Sequence, residues 1–199
     1  MNLLIRKGIG VIASGKAVLN VLAGLLLSMA VHSASSSSYA GEELRRIKSL
    51  ADQEVQGYLA GHGMGLAKAA ELNGYPGPKH VLDLAQELAL SAEQIQATTK
   101  LFEEMQSQAS DLGKKIVALE QELDQHFSNQ TISEKLLNSL VLEIGRYKAS
   151  LRAAHLRAHL QQIELLTKQQ VQRYIQLRGY RVLKAEDHHA KDGASEHSH

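Results

Sequence analysis

His155 and His159 are the residues of this chain whose types and spacing most directly suggest chemistry. Four positions apart on a helix, two imidazoles stand one turn from each other on one face, the geometry for bidentate capture of a transition metal. Leu156, not Glu, follows the first His, so this is not the zinc-protease motif. The pair also reads as part of a basic, solvated stripe with Lys148 and Arg152. Further ligands would have to come from elsewhere, with His62, Met64 and His80 the first candidates. These three flank glycine- and proline-rich turns and equally suit ordinary loop and helix-start roles. Near the end of the chain, His188, His189, His197 and His199 lie among Glu186, Asp187, Asp192 and Glu196. Such a tract binds divalent metals loosely and without a fixed site, or simply solvates the chain. No cofactor is required by these patterns, and any ion they take is a divalent transition metal: zinc, copper, nickel or cobalt.

No catalytic set accompanies the histidines. The chain has no Cys, which excludes thiolate metal sites, disulfides and cysteine catalysis. It has no Gly-x-Ser-x-Gly, no phosphate loop and no carboxylate pair in a pocket context, so the expectation is a protein that is not an enzyme. Of the 22 Lys and Arg, only Arg6, Lys7 and Lys16 precede residue 41, and none of the 21 acidic residues does, leaving a net charge of −2 beyond that point. Such a balance offers no basic face for nucleic acid.

The elements that must position the His pair are helical. Hydrophobic content is 44%, with only two Pro and no Trp, a composition that suits an all-α chain. Spacing predicts a helix over 42–60, a glycine-rich break at Gly61 to Gly65, a short helical piece over 66–72, a turn at Asn73 to Pro78 and a helix over 79–89. From Ser91 to about Phe127, residues Thr98, Phe102, Met105, Ala109, Leu112, Ile116, Leu119 and Leu123 alternate steps of four and three, a coiled-coil seam. Thr131-x-x-Glu134 has capping-box spacing and predicts the start of a helix over 132–165, whose seam is Leu140, Ile144, Tyr147, Leu151, Ala154 and Ala158. The short connection makes the two an antiparallel hairpin. A last helix is expected over 170–177, stopping near Gly179.

The second hairpin helix carries another apolar line, Leu142, Ala149, Leu156, Leu160 and Ile163, away from its seam. Either the segments before residue 89 cover it, or it is a dimer interface or a client groove. With Arg146 and Arg152 beside them, Leu142, Ala149, Leu156 and Leu160 form the expected client-binding face.

Residues 1–40 read as a signal peptide. Positive charges precede an apolar run from Ala17 to Val31, followed by a small, Ser-rich stretch ending at Ser38-Tyr39-Ala40; Val31-His32-Ser33 is a second cleavage possibility. The apolar run is shorter than the roughly 20 residues of a spanning helix, so the mature protein should have no stable membrane span and should work in the periplasm. Residues 41–184 then form the helical domain and 185–199 a disordered His-rich tail.

Two capping boxes bracket the hairpin. Leu90-Ser91-Ala92-Glu93-Gln94 and Leu166-Thr167-Lys168-Gln169-Gln170 each place Gln three positions after a hydroxyl residue, with a staple of Leu90 and Ile95 or Leu166 and Val171. The second copy matches the LTxxQ motif fully and the first differs by Ser for Thr. Over about residues 78–180 the chain resembles the Spy/CpxP-like periplasmic proteins, which include stress chaperones, heavy-metal sensors and zinc-binding accessory proteins. The resemblance implies a bent antiparallel hairpin of about four helices, a cradle-like homodimer, and binding of unfolded proteins without ATP or of a membrane sensor. In the metal-sensing branch, helix histidines serve as ligands. Only the boxes, through Leu90, Ser91, Gln94, Leu166, Thr167 and Gln170, carry over residue by residue.

Overall fold

The structure, a computed structural model, describes residues 37–180. Most of the expected signal peptide and all of the His-rich tail lie outside the described residues. A 3-10 turn at Glu42–Leu44 is followed by α1 (Asp52–Leu59), α2 (Lys68–Glu71), α3 (Pro78–Asp83), α4 (Ala92–Ser128), α5 (Glu134–Glu164) and α6 (Lys168–Leu177). The described residues are all-α, with six α-helices, one for each of the six helical segments that the spacing predicts. None of these helices is long and apolar enough to cross a membrane.

Helices α4 and α5 form the predicted hairpin. Thr98, Ala109 and Ile116 of one seam and Leu140, Ile144, Leu151, Ala154 and Ala158 of the other are all buried. Ala109, Ile116 and Leu151 make one core cluster, with Met105, Leu112 and Tyr147 packed around it. Each large aliphatic side chain buried there contributes about 1.5–3 kcal/mol. A polar clamp crosses the same interface, where the buried Glu120 carboxylate accepts from Lys148 Nζ at 2.6 Å and Ser49 Oγ at 2.9 Å.

The hairpin turn corrects one expectation. Gln130 takes a left-handed φ of 54°, and the Thr131 amide donates back to the His126 carbonyl at 3.0 Å, closing the end of α4. Thr131 is thereby spent on the first helix. Ser133, not Thr131, caps α5, accepting from the Leu136 amide at 3.3 Å.

The expected first helix over 42–60 is also broken. Ile47 and Leu50 are buried with Val55 and Val117, but through a turn in which the Leu50 amide bonds the Ile47 carbonyl, and Ala51 is extended. A spacing of three satisfies a tight turn as well as a helix, so the apolar pattern alone did not separate them. The expected 66–72 helix shrinks to α2. The 79–89 helix stops at Asp83, then continues as turns to Ala89, whose φ is 48°.

Both LTxxQ-type boxes form, with Gln94 N donating to Ser91 Oγ and Gln170 N to Thr167 Oγ1, each at 3.2 Å. The two boxes also meet. Gln94 Nε2 donates to Gln170 Oε1 and Gln170 Nε2 to Gln94 Oε1, both at 2.9 Å. Each Oε1 also accepts its own cap's amide, from Ser91 at 3.0 Å and from Thr167 at 2.9 Å. The remaining amide protons go to the Leu165 and Leu88 carbonyls. Every donor and acceptor of the pair is therefore used, as part-buried amides demand. Leu90 and Leu166 pack against one cluster around Val81, Leu88 and Tyr174, so the boxes fasten α3, α4 and α6 together below the open end of the hairpin.

Candidate functional site

Toward its C-terminal half, α5 buries more than its seam. His155, His159 and Gln162 are buried beside Ala154 and Ala158, with His155 and His159 only 5% and 8% exposed. The solvated-stripe reading of the His pair is thus overturned. The reason lies in the glycine- and proline-rich segments, which pack over this face instead of over the second apolar line of α5. Lys148 is drawn away to Glu120, and Arg152 stays exposed.

The two imidazoles floor a cavity of about 620 Å³. One wall is the Gly61 to Gly65 loop after α1; α2, the start of α3, α4 and the segment after α6 supply the others. The loop is seated on α4, where Ser110 Oγ donates to the Leu59 carbonyl at 2.7 Å and Gln106 Nε2 to the Ala60 carbonyl at 3.3 Å. His62, Met64 and His80 all line this cavity with His155 and His159, so the five ligand candidates converge on one space. They do not converge as a tight cluster: among the described residues, no three His, Cys, Asp or Glu are grouped so as to hold a metal ion. His80 Nδ1 lies 3.6 Å from Asp83 Oδ2. The tail histidines lie outside the described residues.

Hydrogen bonding orients one imidazole and burial acts on the other. His159 Nδ1 lies 2.7 Å from the Tyr75 carbonyl, which can only accept, so that nitrogen carries the proton and a neutral ring keeps a lone pair on Nε2. His155 Nε2 is buried with no partner. Burial, aided by the neighbouring His159, pushes the His155 pKa below its ordinary value and favours the neutral ring.

Beside His159 stands a carboxylate that the sequence reading missed. Glu71 Oε1 accepts from Tyr174 Oη at 2.6 Å, Tyr180 Oη at 3.0 Å and Arg178 Nε at 3.2 Å. Its Oε2 is buried, unpartnered and 3.8 Å from His159 Nδ1. Burial and the Glu71 charge hold the Tyr174 hydroxyl protonated, with its pKa far above the usual value. Partners 103 to 109 residues away in sequence leave no local signal at Glu71. Phe102, Met105, Lys68 and Lys79 also line the cavity, the first two being residues of the α4 seam as well.

The expected client-binding residues lie on another face of α5. Leu142, Arg146, Ala149, Arg152 and Leu160 are exposed, and Leu156 is half-buried. Cavity and outer face are thus separate surfaces of one helix.

The fold and site define an all-α hairpin protein with an imidazole-floored cavity on one side and an uncovered apolar and basic strip on another. No protein-family model, curated protein or solved structure matches the chain. The likeness to the Spy/CpxP-like proteins therefore rests on the two boxes and their helical context.

Proposed function

We propose that the protein is a periplasmic, ATP-independent chaperone or envelope-stress accessory protein that holds unfolded clients, or a sensor partner, along the outer face of α5. The observation that carries this reading is the exposure of Leu142 at 74% and Leu160 at 54% on α5, with Val141 beside Leu142 also 50% exposed. Large apolar side chains left uncovered on one strip mark an interaction surface. Arg146 and Arg152 beside them suit clients or partners of mixed apolar and acidic character. A homodimer that lines up two such strips belongs to the same proposal.

Suppression of aggregation of a denatured test protein checks it. Wild type should suppress at near-stoichiometric ratios, and the Leu142→Glu, Leu160→Glu double variant should need several-fold more protein, about 1 kcal/mol of lost binding, while folding normally because both side chains are exposed. Absence of suppression by wild type would sink the reading.

A second reading is a metal-binding sensor or metal-resistance protein. Its support is the convergence of His155, His159, His62, Met64 and His80 on one cavity. His159 Nδ1 bonded to a backbone carbonyl is also the arrangement that commonly orients a ligating imidazole.

A further inference from the structure

We propose that the cavity binds an organic monocarboxylate with an apolar body, its carboxylate held by Lys68 and the backbone amides of residues 63–65 and its body lying against Leu72, Phe102 and Met105. The site is separate from the outer strip of α5. Such a ligand and a metal ion would be alternative occupants of one space.

Size and lining set the class of ligand. A volume of about 620 Å³ falls within the roughly 300–1,000 Å³ of small-molecule sites, which are mainly apolar with a few placed polar groups. Leu72, Phe102 and Met105 supply apolar wall, and Leu72 is left 57% exposed, so an apolar body would cover side chain that the fold leaves uncovered. Three cations also line the space, and two are already answered. Arg178 Nε lies 3.2 Å from Glu71 Oε1, and Lys79 Nζ lies 2.8 Å from Asp83 Oδ2. Lys68, the third, has no carboxylate partner among the described residues. One unanswered ammonium calls for one negative charge. A second charge on the ligand would enter beside Glu71 with no partner to offset its desolvation.

The glycine-rich loop supplies an independent sign. The Gly63 and Gly65 carbonyls accept from the Leu66 and Lys68 amides at 2.7 and 3.2 Å, whereas the amides of Gly63, Met64 and Gly65 donate to no group among the described residues. Successive backbone donors in a turn make a concavity suited to an anion. The turn is left-handed at Met64, with φ 42°, and at Gly65, with φ 80°. It is also anchored. A Cβ at Gly57 would run into Met64 Sδ, so the Met64 side chain is seated against α1 and fixes a backbone conformation that a non-glycine residue enters at a cost. Lys68 folds back over the same loop, its Nζ 3.8 Å from where a Cβ on Gly65 would stand. The unanswered ammonium and the three unspent amides therefore lie close together at the wall of an apolar cavity.

The test titrates the full chain with 2-naphthoate and with octanoate, each compared with its uncharged primary amide. Calorimetry should give about one equivalent of at least one acid, bound at least about tenfold more tightly than its amide, because only the acid makes charge-assisted hydrogen bonds. The Gly63 and Gly65 amide proton resonances should move downfield as that acid is added. Lys68 is exposed, so Lys68→Gln should melt as its parent does, while affinity for the acid falls about tenfold and affinity for the amide holds. The Leu142→Glu, Leu160→Glu double variant should bind the acid as wild type does, which separates the cavity from capture on the outer strip. Failure of both acids to bind, equal binding of acid and amide, unchanged acid affinity in Lys68→Gln, or loss of binding in the outer-strip variant would each overturn the proposal.

Discussion

Gly113→Ala should destabilise the protein by about 2–4 kcal/mol, whereas Gly145→Ala should stabilise it by about 0.5–1 kcal/mol. Both glycines are inside long helices, where alanine is intrinsically favoured by up to about 1 kcal/mol. They differ in what a methyl group meets. At Gly145, in α5, a Cβ finds nothing within 4 Å. At Gly113, in α4, it would run into the Tyr58 carbonyl and would stand 3.1 Å from the Tyr58 Cα. That neighbour is backbone, which cannot swing aside, so α1 must lift from α4. Lifting would strain the Ser110 and Gln106 bonds to the end of α1 and loosen Tyr58 from the two core clusters it joins. Overpacking therefore outweighs helix propensity at one site and is absent at the other. Urea unfolding of the two variants checks both signs, and because the Gly61 to Gly65 wall follows α1, Gly113→Ala should also loosen the cavity.

The second large effect belongs to the paired boxes. Gln94→Ala and Gln170→Ala should each cost about 2–3 kcal/mol, because each removes a cap partner and strands the other amide part-buried. The double variant should cost less than the two together by about 1–2 kcal/mol, since the second substitution removes a group already deprived of its partner. A double-mutant cycle by chemical denaturation measures that coupling. Independent caps, as two isolated helix starts would be, would give additive losses.

These two cases mark where the sequence was informative. The boxes were legible because capping is local: Ser91 and Gln94, or Thr167 and Gln170, satisfy each other within one turn. Their mutual pairing was not, since 76 residues separate the glutamines. The hairpin was legible because its four-three rhythm runs from Thr98 to Leu123 on one helix and from Leu140 to Ala158 on the other and admits few other partners. The segment before Gly61 was misread as one helix because Ile47, Leu50 or Ala51, and Val55 recur at threes and fours while the backbone between them turns. At the site, the metal-ligand candidates were found by residue type and spacing, but the burial of His155 and His159 depends on segments 61–80 folding over α5. Glu71, with Tyr174, Arg178 and Tyr180, needs the whole domain to assemble. A polar residue held only by distant partners has no periodicity to betray it.

The outer strip of α5 is the surface on which the proposed function depends, and covalent capture of a client tests it most directly. A photo-crosslinking residue is placed at Ala149, between Leu142 and Leu156 on the exposed line, and in a separate protein at Gln106 on the cavity wall. Each is illuminated with an unfolded, aggregation-prone protein. The account predicts strong client adducts from position 149 and few from position 106, with the Leu142→Glu, Leu160→Glu background weakening the former. Equal capture from the two positions, or capture from 106 alone, would contradict it.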